Sequence, residues 1–150
     1  MTTQTAGLTA EEQGRIRAAA RAWRGTPYHP DARLRGVGVD CGNLLVAVFA
    51  DAGLVESFSL PPAPRGWHLH SKDERYLLML LRYCDRVEPP WQTGDVLLFR
   101  GKGWPSAGHG GLVVDDLLYH ALEGRQVEAW PLDEMWLLRT LEAGFRLRRG

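Results

Sequence analysis

The sequence predicts an α+β fold, with helices in the first half of the chain and an antiparallel sheet in the second. Three observations carry that prediction. Apolar residues recur at helical spacing from Ile16 to Trp23 and then run unbroken from Leu44 to Ala50. Beyond Asp95 the pattern changes to short apolar runs separated by turn residues. At Asp115-Asp116 only two residues separate Val114 from Leu117, the length of a tight hairpin turn. Helices first and antiparallel strands later make an α+β domain, and 150 residues suit one such domain, spanning 1–150, with a sizeable core.

The first helix starts at Thr9-Ala10-Glu11-Glu12, a capping box with Thr9 as N-cap and Glu12 at N3. Ile16, Ala19, Ala20 and Trp23 form its buried stripe, and Gly25 with Pro27 stops it. A loop from His29 to Val39 follows, with Gly36 and Gly38 close before Asp40. Asp40 is the expected N-cap of a second helix from Cys41 to about Ala52, with Gly53 as its C′ residue. That helix is apolar on nearly every side and is expected to be central. Leu60 to His70 reads as a surface loop, and Ser71-Lys72-Asp73-Glu74 as a second capping box. Leu77, Leu78 and Leu81 are the expected packing stripe of a third helix, which ends near Cys84.

In the second half, Asp95 to Phe99 reads as a strand and Gly101 to Gly108 as a loop. Gly111–Val114 and Leu117–His120 form the hairpin, and Gln126 to Leu132 another strand. Asp133 is the expected cap of a short helical turn through Trp136 and Leu138. Phe145 and Leu147 alternate with Arg146 and Arg148, the pattern of a half-buried final strand.

Composition narrows the function classes. Lys plus Arg is 18 and Asp plus Glu is 18, which offers no basic surface for a nucleic-acid partner. Arg146, Arg148 and Arg149 read as a solvated basic end. Two cysteines, Cys41 and Cys84, are too few for a disulfide scaffold. Cys41, Cys84, His109 and His120 lack zinc-type spacings, so neither a metal nor another cofactor is expected. The N-terminal ten residues are polar, with no apolar core of signal-peptide length, and no segment is long enough to cross a membrane. The chain is therefore expected to carry no export address and to insert in no membrane.

The chemistry-bearing residues converge by pattern. A thiol on the first turn of a helix sits at the positive end of the dipole, which favours thiolate. In the hairpin, the two-residue turn pairs Val114 with Leu117, and stepping outward pairs Gly111 with His120. His109 then shares a face with His120, and Gly111 is expected to leave room there for a ring or a substrate. A thiol, a base and a group that orients the base are the parts of a cysteine hydrolase. Cys41 is thus a candidate nucleophile, His109 a candidate base and His120 its orienter, with backbone N–H groups at the helix start as part of an oxyanion hole. Each residue alone also has a structural reading. Cys41 could simply pack as a small apolar residue. Cys84 is expected to pack at a helix end. His68 and His70 are expected to be bystanders in their loop, and Trp91 and Trp130 packing or rim residues, with Trp104 the best candidate for the rim of a cleft.

Taken in order, Gly25-Thr26-Pro27-Tyr28, Gly36-Val37-Gly38-Val39-Asp40-Cys41, Gly94-Asp95-Val96-Leu97-Leu98-Phe99, His109-Gly110-Gly111-Leu112 and Tyr119-His120-Ala121 resemble the ordered motifs of the NlpC/p60 cell-wall peptidases. Within that family the pattern is most similar to the branch found in phage tails and gene-transfer-agent-like particles, whose extended pattern Trp23, Trp136 and Phe145 also fit. The resemblance covers roughly Ile16 to Leu147. It implies a papain-like fold, Cys41 as nucleophile, His109 as base and His120 as third polar residue. It implies that Tyr28 lines the oxyanion and substrate site and that Asp40 contacts substrate as well as capping the helix. It implies as substrate a peptidoglycan stem peptide, commonly cut between D-glutamate and a diamino acid. It implies phage tail-tip or hub proteins as partners, and a place in the virion or a phage-like particle made in a host cytoplasm. Where the family usually has Gly after a small residue, Gly42 is followed here by Asn43, expected to project into the cleft and alter its subsites. Two other readings share these residues: a tail-tip structural protein that keeps the fold for assembly, and a thiol-dependent amidase or acyltransferase.

Overall fold

A computed structural model describes residues 4–63 and 66–149. Its elements run α1 (Ala10–Trp23), β1 (Arg33–Leu34), β2 (Gly38–Val39), α2 (Cys41–Asp51), α3 (Trp67–His70), α4 (Arg75–Tyr83), β3 (Cys84–Val87), β4 (Val96–Phe99), β5 (His109–Val114), β6 (Leu117–Ala121), β7 (Val127–Pro131), α5 (Met135–Thr140) and β8 (Leu141–Leu147). Six strands form one antiparallel sheet in the order β3-β8-β4-β5-β6-β7, and β1 and β2 form a small separate ribbon. The architecture is the expected α+β arrangement of helices on an antiparallel sheet.

α1 begins at the expected capping box, with Thr9 Oγ1 accepting from the Glu12 N–H and Glu12 Oε1 from the Thr9 N–H. Its stripe of Ile16, Ala19, Ala20 and Trp23 is buried. Two contacts set α1 against α2: Trp23 Nε1 donates to Asp51 at 2.8 Å, and Arg15 Nε to the Ala52 carbonyl at 2.8 Å. α2 lies between α1 and strands β5 and β6. Its side chains from Leu44 to Phe49 are all buried. Each large apolar one contributes about 1.5–3 kcal/mol relative to exposure. The start of α2 is therefore held rigidly against the sheet. Gly53 takes the left-handed conformation at φ 73° that ends the helix. The opposite face of the sheet is covered by a smaller cluster of Leu97, Phe99, Val113, Leu118 and Leu137, the last from α5.

The hairpin register is Val114↔Leu117, Val113↔Leu118 and Leu112↔Tyr119, as the two-residue turn requires. Asp115 takes φ 56°, a conformation aspartate tolerates. Its carboxylate receives Arg17 at 2.8 and 3.0 Å, which fastens the turn to α1.

The structure corrects the sequence reading in several places. Residues 64 and 65 of the expected 60–70 loop lie outside the described residues, and Trp67–His70 is a helical turn. Ser71 to Glu74 form no capping box: Ser71 Oγ accepts from the Asp73 N–H, and the N-cap of α4 is Glu74, without a side-chain bond. α4 buries Tyr76 and Leu80 and leaves Leu78 and Leu81 exposed, so its packing phase is shifted from the Leu77-Leu78-Leu81 stripe. Cys84 opens strand β3, which pairs with β8 at the other end of the chain. α5 is capped by Glu134, whose carboxylate accepts from the Leu137 N–H, in place of Asp133. Arg146 is buried and bonded to Asp95 through two N–H groups at 2.8 and 2.9 Å. The turn before β4 and the N-terminal segment cover it, through Asp95 and the Thr5 carbonyl, so the residue expected to face water lies inside.

Candidate functional site

Segments distant in sequence meet at the first turn of α2. Asp40 is the N-cap, and its Oδ1 accepts from the Asn43 backbone N–H at 2.8 Å and from Asn43 Nδ2 at 3.0 Å. Its Oδ2 accepts from the Asp31 N–H at 2.7 Å, tying the preceding loop to the helix. Both oxygens of Asp40 are thus engaged by the protein. Asn43 is only 6% exposed, with its amide turned back onto the cap. Asn43 therefore reinforces the helix start while also lining the cleft.

The Gly25–Tyr28 segment hooks onto the edge of β7. The Gly25 N–H donates to the Val127 carbonyl, the Val127 N–H to the Thr26 carbonyl, and the Tyr28 N–H to the Arg125 carbonyl. Thr26 Oγ1 accepts from the Gly36 N–H at 3.0 Å, and Tyr28 bridges to Val39. These bonds bring Tyr28, half-buried, to the wall of a cleft about 630 Å³ in volume that Cys41, Asp40, Gly42 and Asn43 also line. Gly42 lies under Leu60; a Cβ there would sit 3.0 Å from the Leu60 methyl.

The Cys41 thiol points at the backbone just before His109, with Sγ 3.9 Å from the Gly108 carbonyl. His109 opens β5, half-buried among Phe99, Trp136 and His120. Its Nε2 is 2.8 Å from His120 Nδ1. The two histidines therefore meet as the hairpin register predicts. His120 is fully buried, its Nε2 has no polar partner among the described residues, and its ring stands at 83° to Trp130, 4.5 Å between centroids. With Nε2 of His109 committed to His120, Nδ1 is the ring nitrogen outside that bond. Gly111 makes no room for a substrate: a Cβ there would meet Leu118 at 2.8 Å.

Trp104 does not line the cleft. Its ring packs 4.4 Å from His68 and 6.4 Å from Trp136. Cys84 lies in β3, separated from β5 by two intervening strands, so it shares no site with Cys41 and the histidines. Among the described residues no cluster of three or more His, Cys, Asp or Glu side chains is arranged to hold a metal ion, and no helix is long and apolar enough to cross a membrane.

Two site residues escaped the sequence reading. Tyr76 donates its hydroxyl to the Cys41 carbonyl at 3.1 Å and packs over Gly110, where a Cβ would lie 2.4 Å from that hydroxyl. Its i, i+4 spacing with Leu80 was the signal that could have found it. His68 lines the cleft and packs on Gly108, where a Cβ would lie 2.2 Å from the imidazole. No local pattern marked it.

Electrostatics run against a resting thiolate. Burial pushes the Cys41 thiol up to about 12, and the Asp40 carboxylate adds to the rise. The Gly110 and Gly42 N–H groups and the Tyr76 hydroxyl oppose it and are outweighed. Burial likewise pushes Cys84 up to about 12. Burial thus runs against the expectation that the helix start makes Cys41 a thiolate near neutral pH, and sets no difference in pKa between Cys41 and Cys84. Tyr28 is raised by burial first and by Cys41 and Asp40 next, so it stays a hydrogen-bond donor. Burial lowers His109 to about 3, helped by His120 and His68, and lowers His120 to about 4, helped by Arg125. The resting site holds a neutral thiol and two neutral imidazoles.

That state has a stability consequence. An unfolded histidine titrates near ~6.5, whereas the folded pair stays neutral to about 3 and about 4. The unfolded chain therefore binds more protons in this window. The contribution of the pair is fully present above the unfolded value and is lost as pH falls through the folded ones. Urea midpoints are expected to drop from neutral pH to about pH 4, with a shallower drop in His120→Gln. Equal slopes in both proteins would contradict the assignment.

Comparisons with known proteins point one way. No family model matches the sequence, and no curated protein matches it. Solved structures do match. An NLP/P60-family protein similar to a lipoprotein, from Staphylococcus aureus, superposes with TM-score 0.69 at 19% identity, over 100% of this chain and 46% of its own. An NlpC/P60-family protein from Bacillus cereus gives 0.60 at 20%, over 98% and 41%. The NlpC/p60 domain of the peptidoglycan hydrolase SagA gives 0.60 at 16%, over 90% and 98%. The chain thus spans less than half the length of the first two and nearly all of the isolated domain. At these identities the likeness is one of fold, and the fold is that of NlpC/p60 domains.

Proposed function

We propose that this chain, built on the NlpC/p60 fold, is a cysteine peptidase that cleaves the stem peptides of peptidoglycan. One observation carries the reading: the Cys41 thiol lies at the start of α2 against the carbonyl of Gly108, the residue before a His109 that is hydrogen-bonded to His120. SagA, which shares the fold, is a peptidoglycan hydrolase, and this supports the choice of substrate.

The neutral resting pair sets the order of events. As Sγ attacks the peptide carbonyl, its proton passes to His109 Nδ1, so the thiolate forms only with the new C–S bond. His120 Nδ1 accepts the His109 Nε2–H, holds the ring in the tautomer with a bare Nδ1, and stabilises the imidazolium. N–H groups at the start of α2 and the Tyr28 hydroxyl are the donors available to the carbonyl oxygen as it becomes anionic. Collapse of the tetrahedral intermediate breaks the C–N bond, and His109 returns the proton to the departing amine. Water, deprotonated by His109, then hydrolyses the thioester and restores the thiol.

The finer parts of the proposal are the D-glutamyl–diamino acid bond and the setting of a phage tail tip or related particle, with hub proteins as partners. What supports them is the resemblance of the Gly25–Tyr28 and Gly36–Cys41 motifs and the flanking Trp23, Trp136 and Phe145. Incubated with purified peptidoglycan and a thiol reductant, the protein is expected to release new free amines. No release under these conditions would favour a protein that keeps the fold for assembly.

A further inference from the structure

The exposed side of α4 is unusual for a helix that borders a cleft. Leu78 is 63% exposed although the same helix buries Tyr76 and Leu80. Arg75, Leu78, Met79 and Arg82 recur at positions 75, 78, 79 and 82 and all line the same cleft as Cys41. That spacing puts them on one helical face, two guanidinium groups flanking an apolar pair. Among the described residues neither guanidinium has a close carboxylate partner. Arg75 has only Asp73, at 3.8 Å and with both side chains largely in solvent, and Arg82 has no carboxylate partner among the described residues, only the neighbouring Tyr83 ring at 5.9 Å.

α4 is also fixed relative to the thiol. Tyr76, next to Arg75, donates to the Cys41 carbonyl. At the other end Tyr83, next to Arg82, stacks on Phe58 at 4.7 Å, and Phe58 lines the cleft. Seven residues at ~1.5 Å rise place the two arginine backbones about 10 Å apart along the wall. An extended peptide covers that distance in about three residues. Asp31 and Asp40 lie on the cleft lining beside Cys41, so the cleft is acidic by the thiol and basic along α4.

We propose that α4 is a carboxylate-reading wall, with Arg75 and Arg82 receiving anionic groups of a peptide bound across Cys41 and Leu78 and Met79 packing on its aliphatic parts. A guanidinium suits this task because its planar fork pairs with a carboxylate through two N–H groups. The identity of the peptide as a peptidoglycan stem rests on the function proposed above; the preference for carboxylates does not.

The test measures binding to the Cys41→Ala chain, which cannot turn over, by titration calorimetry. The ligands are a synthetic stem tetrapeptide with free carboxylates, the same peptide with its carboxylates converted to amides, and phosphatidylglycerol vesicles. The acid is expected to bind at least about tenfold more tightly than the amide. In Arg75→Gln/Arg82→Gln that preference is expected to vanish, with affinity for the amide unchanged. Equal affinity for acid and amide, a preference that survives the double substitution, equal loss for both peptides, or binding to vesicles but not to peptide would each overturn the proposal. Acid-selective binding in a protein that cleaves nothing would uphold the wall and overturn the proposed peptidase.

Discussion

Cys41→Ala is expected to end amine release from peptidoglycan while leaving the protein folded. Loss of a covalent nucleophile costs on the order of 10⁴- to 10⁶-fold in kcat, because the remaining donors and the base have no nucleophile to serve. The structural cost is expected to stay within about 1 kcal/mol. The reason lies in how the first turn of α2 is held. Asp40 caps it, Asn43 braces the cap and Tyr76 bonds the Cys41 carbonyl, and none of these contacts uses sulfur. The sulfur lies 3.9 Å from the Gly108 carbonyl, and the Gly42, Gly110 and Tyr76 donors near it are held by the backbone and by the Cys41 carbonyl. His109→Ala is a less clean experiment, because it strips His120 of its partner for Nδ1 when Nε2 already has none. Activity assays checked against thermal unfolding separate the two effects. Residual cleavage by Cys41→Ala above background would contradict the assignment of the nucleophile.

The second large effect concerns stability. Asp95 is 1% exposed and Arg146 4%, and they share two hydrogen bonds at 2.8 and 2.9 Å. Asp95 also accepts from the Gln92 N–H at 2.8 Å, and Arg146 donates to the Thr5 carbonyl at 2.8 Å. The pair thus joins the turn before β4, the interior strand β8 and the N-terminal segment. Asp95→Ala leaves a guanidinium buried without its counter-charge, which costs about 3–5 kcal/mol. At the size of this chain each kcal/mol moves Tm by about 2–4 °C, so a fall of roughly 6–20 °C is expected. Replacing both partners by apolar residues, as in Asp95→Leu/Arg146→Met, is expected to cost less than removing Asp95 alone. Chemical denaturation of the single and double variants checks this. A loss below about 1 kcal/mol in Asp95→Ala would show that the pair is not sealed from water.

What could be read from the sequence was local. The capping box at Thr9 and the Asp40 cap each lie within four residues, and both form as expected. The hairpin was legible because a two-residue turn fixes every pair outward from Val114 and Leu117, and this brings His109 to His120. What was hidden depends on partners far along the chain. Strand β3, Cys84-Asp85-Arg86-Val87, is too short and shows no alternation, and its partner β8 lies about 60 residues away. Arg146 looked solvent-facing because alternation cannot reveal that the N-terminal segment and Asp95 cover that face of β8. The phase of α4 was misread for a similar reason. Leu78 is as apolar as a core residue, but the cleft, which no local pattern encodes, lies beside it. The helix start suggests a thiolate at Cys41, and the opposing effect, burial by distant segments, is one that no local pattern encodes.

Mass spectrometry of muropeptides after digestion by the wild-type and Cys41→Ala proteins tests the central claim most directly. Stem-peptide fragments with a new amine on the diamino acid and a new carboxyl on the D-glutamyl side are expected with the wild type and not with the variant. Intact stems after wild-type digestion, or identical fragments from both proteins, would contradict it.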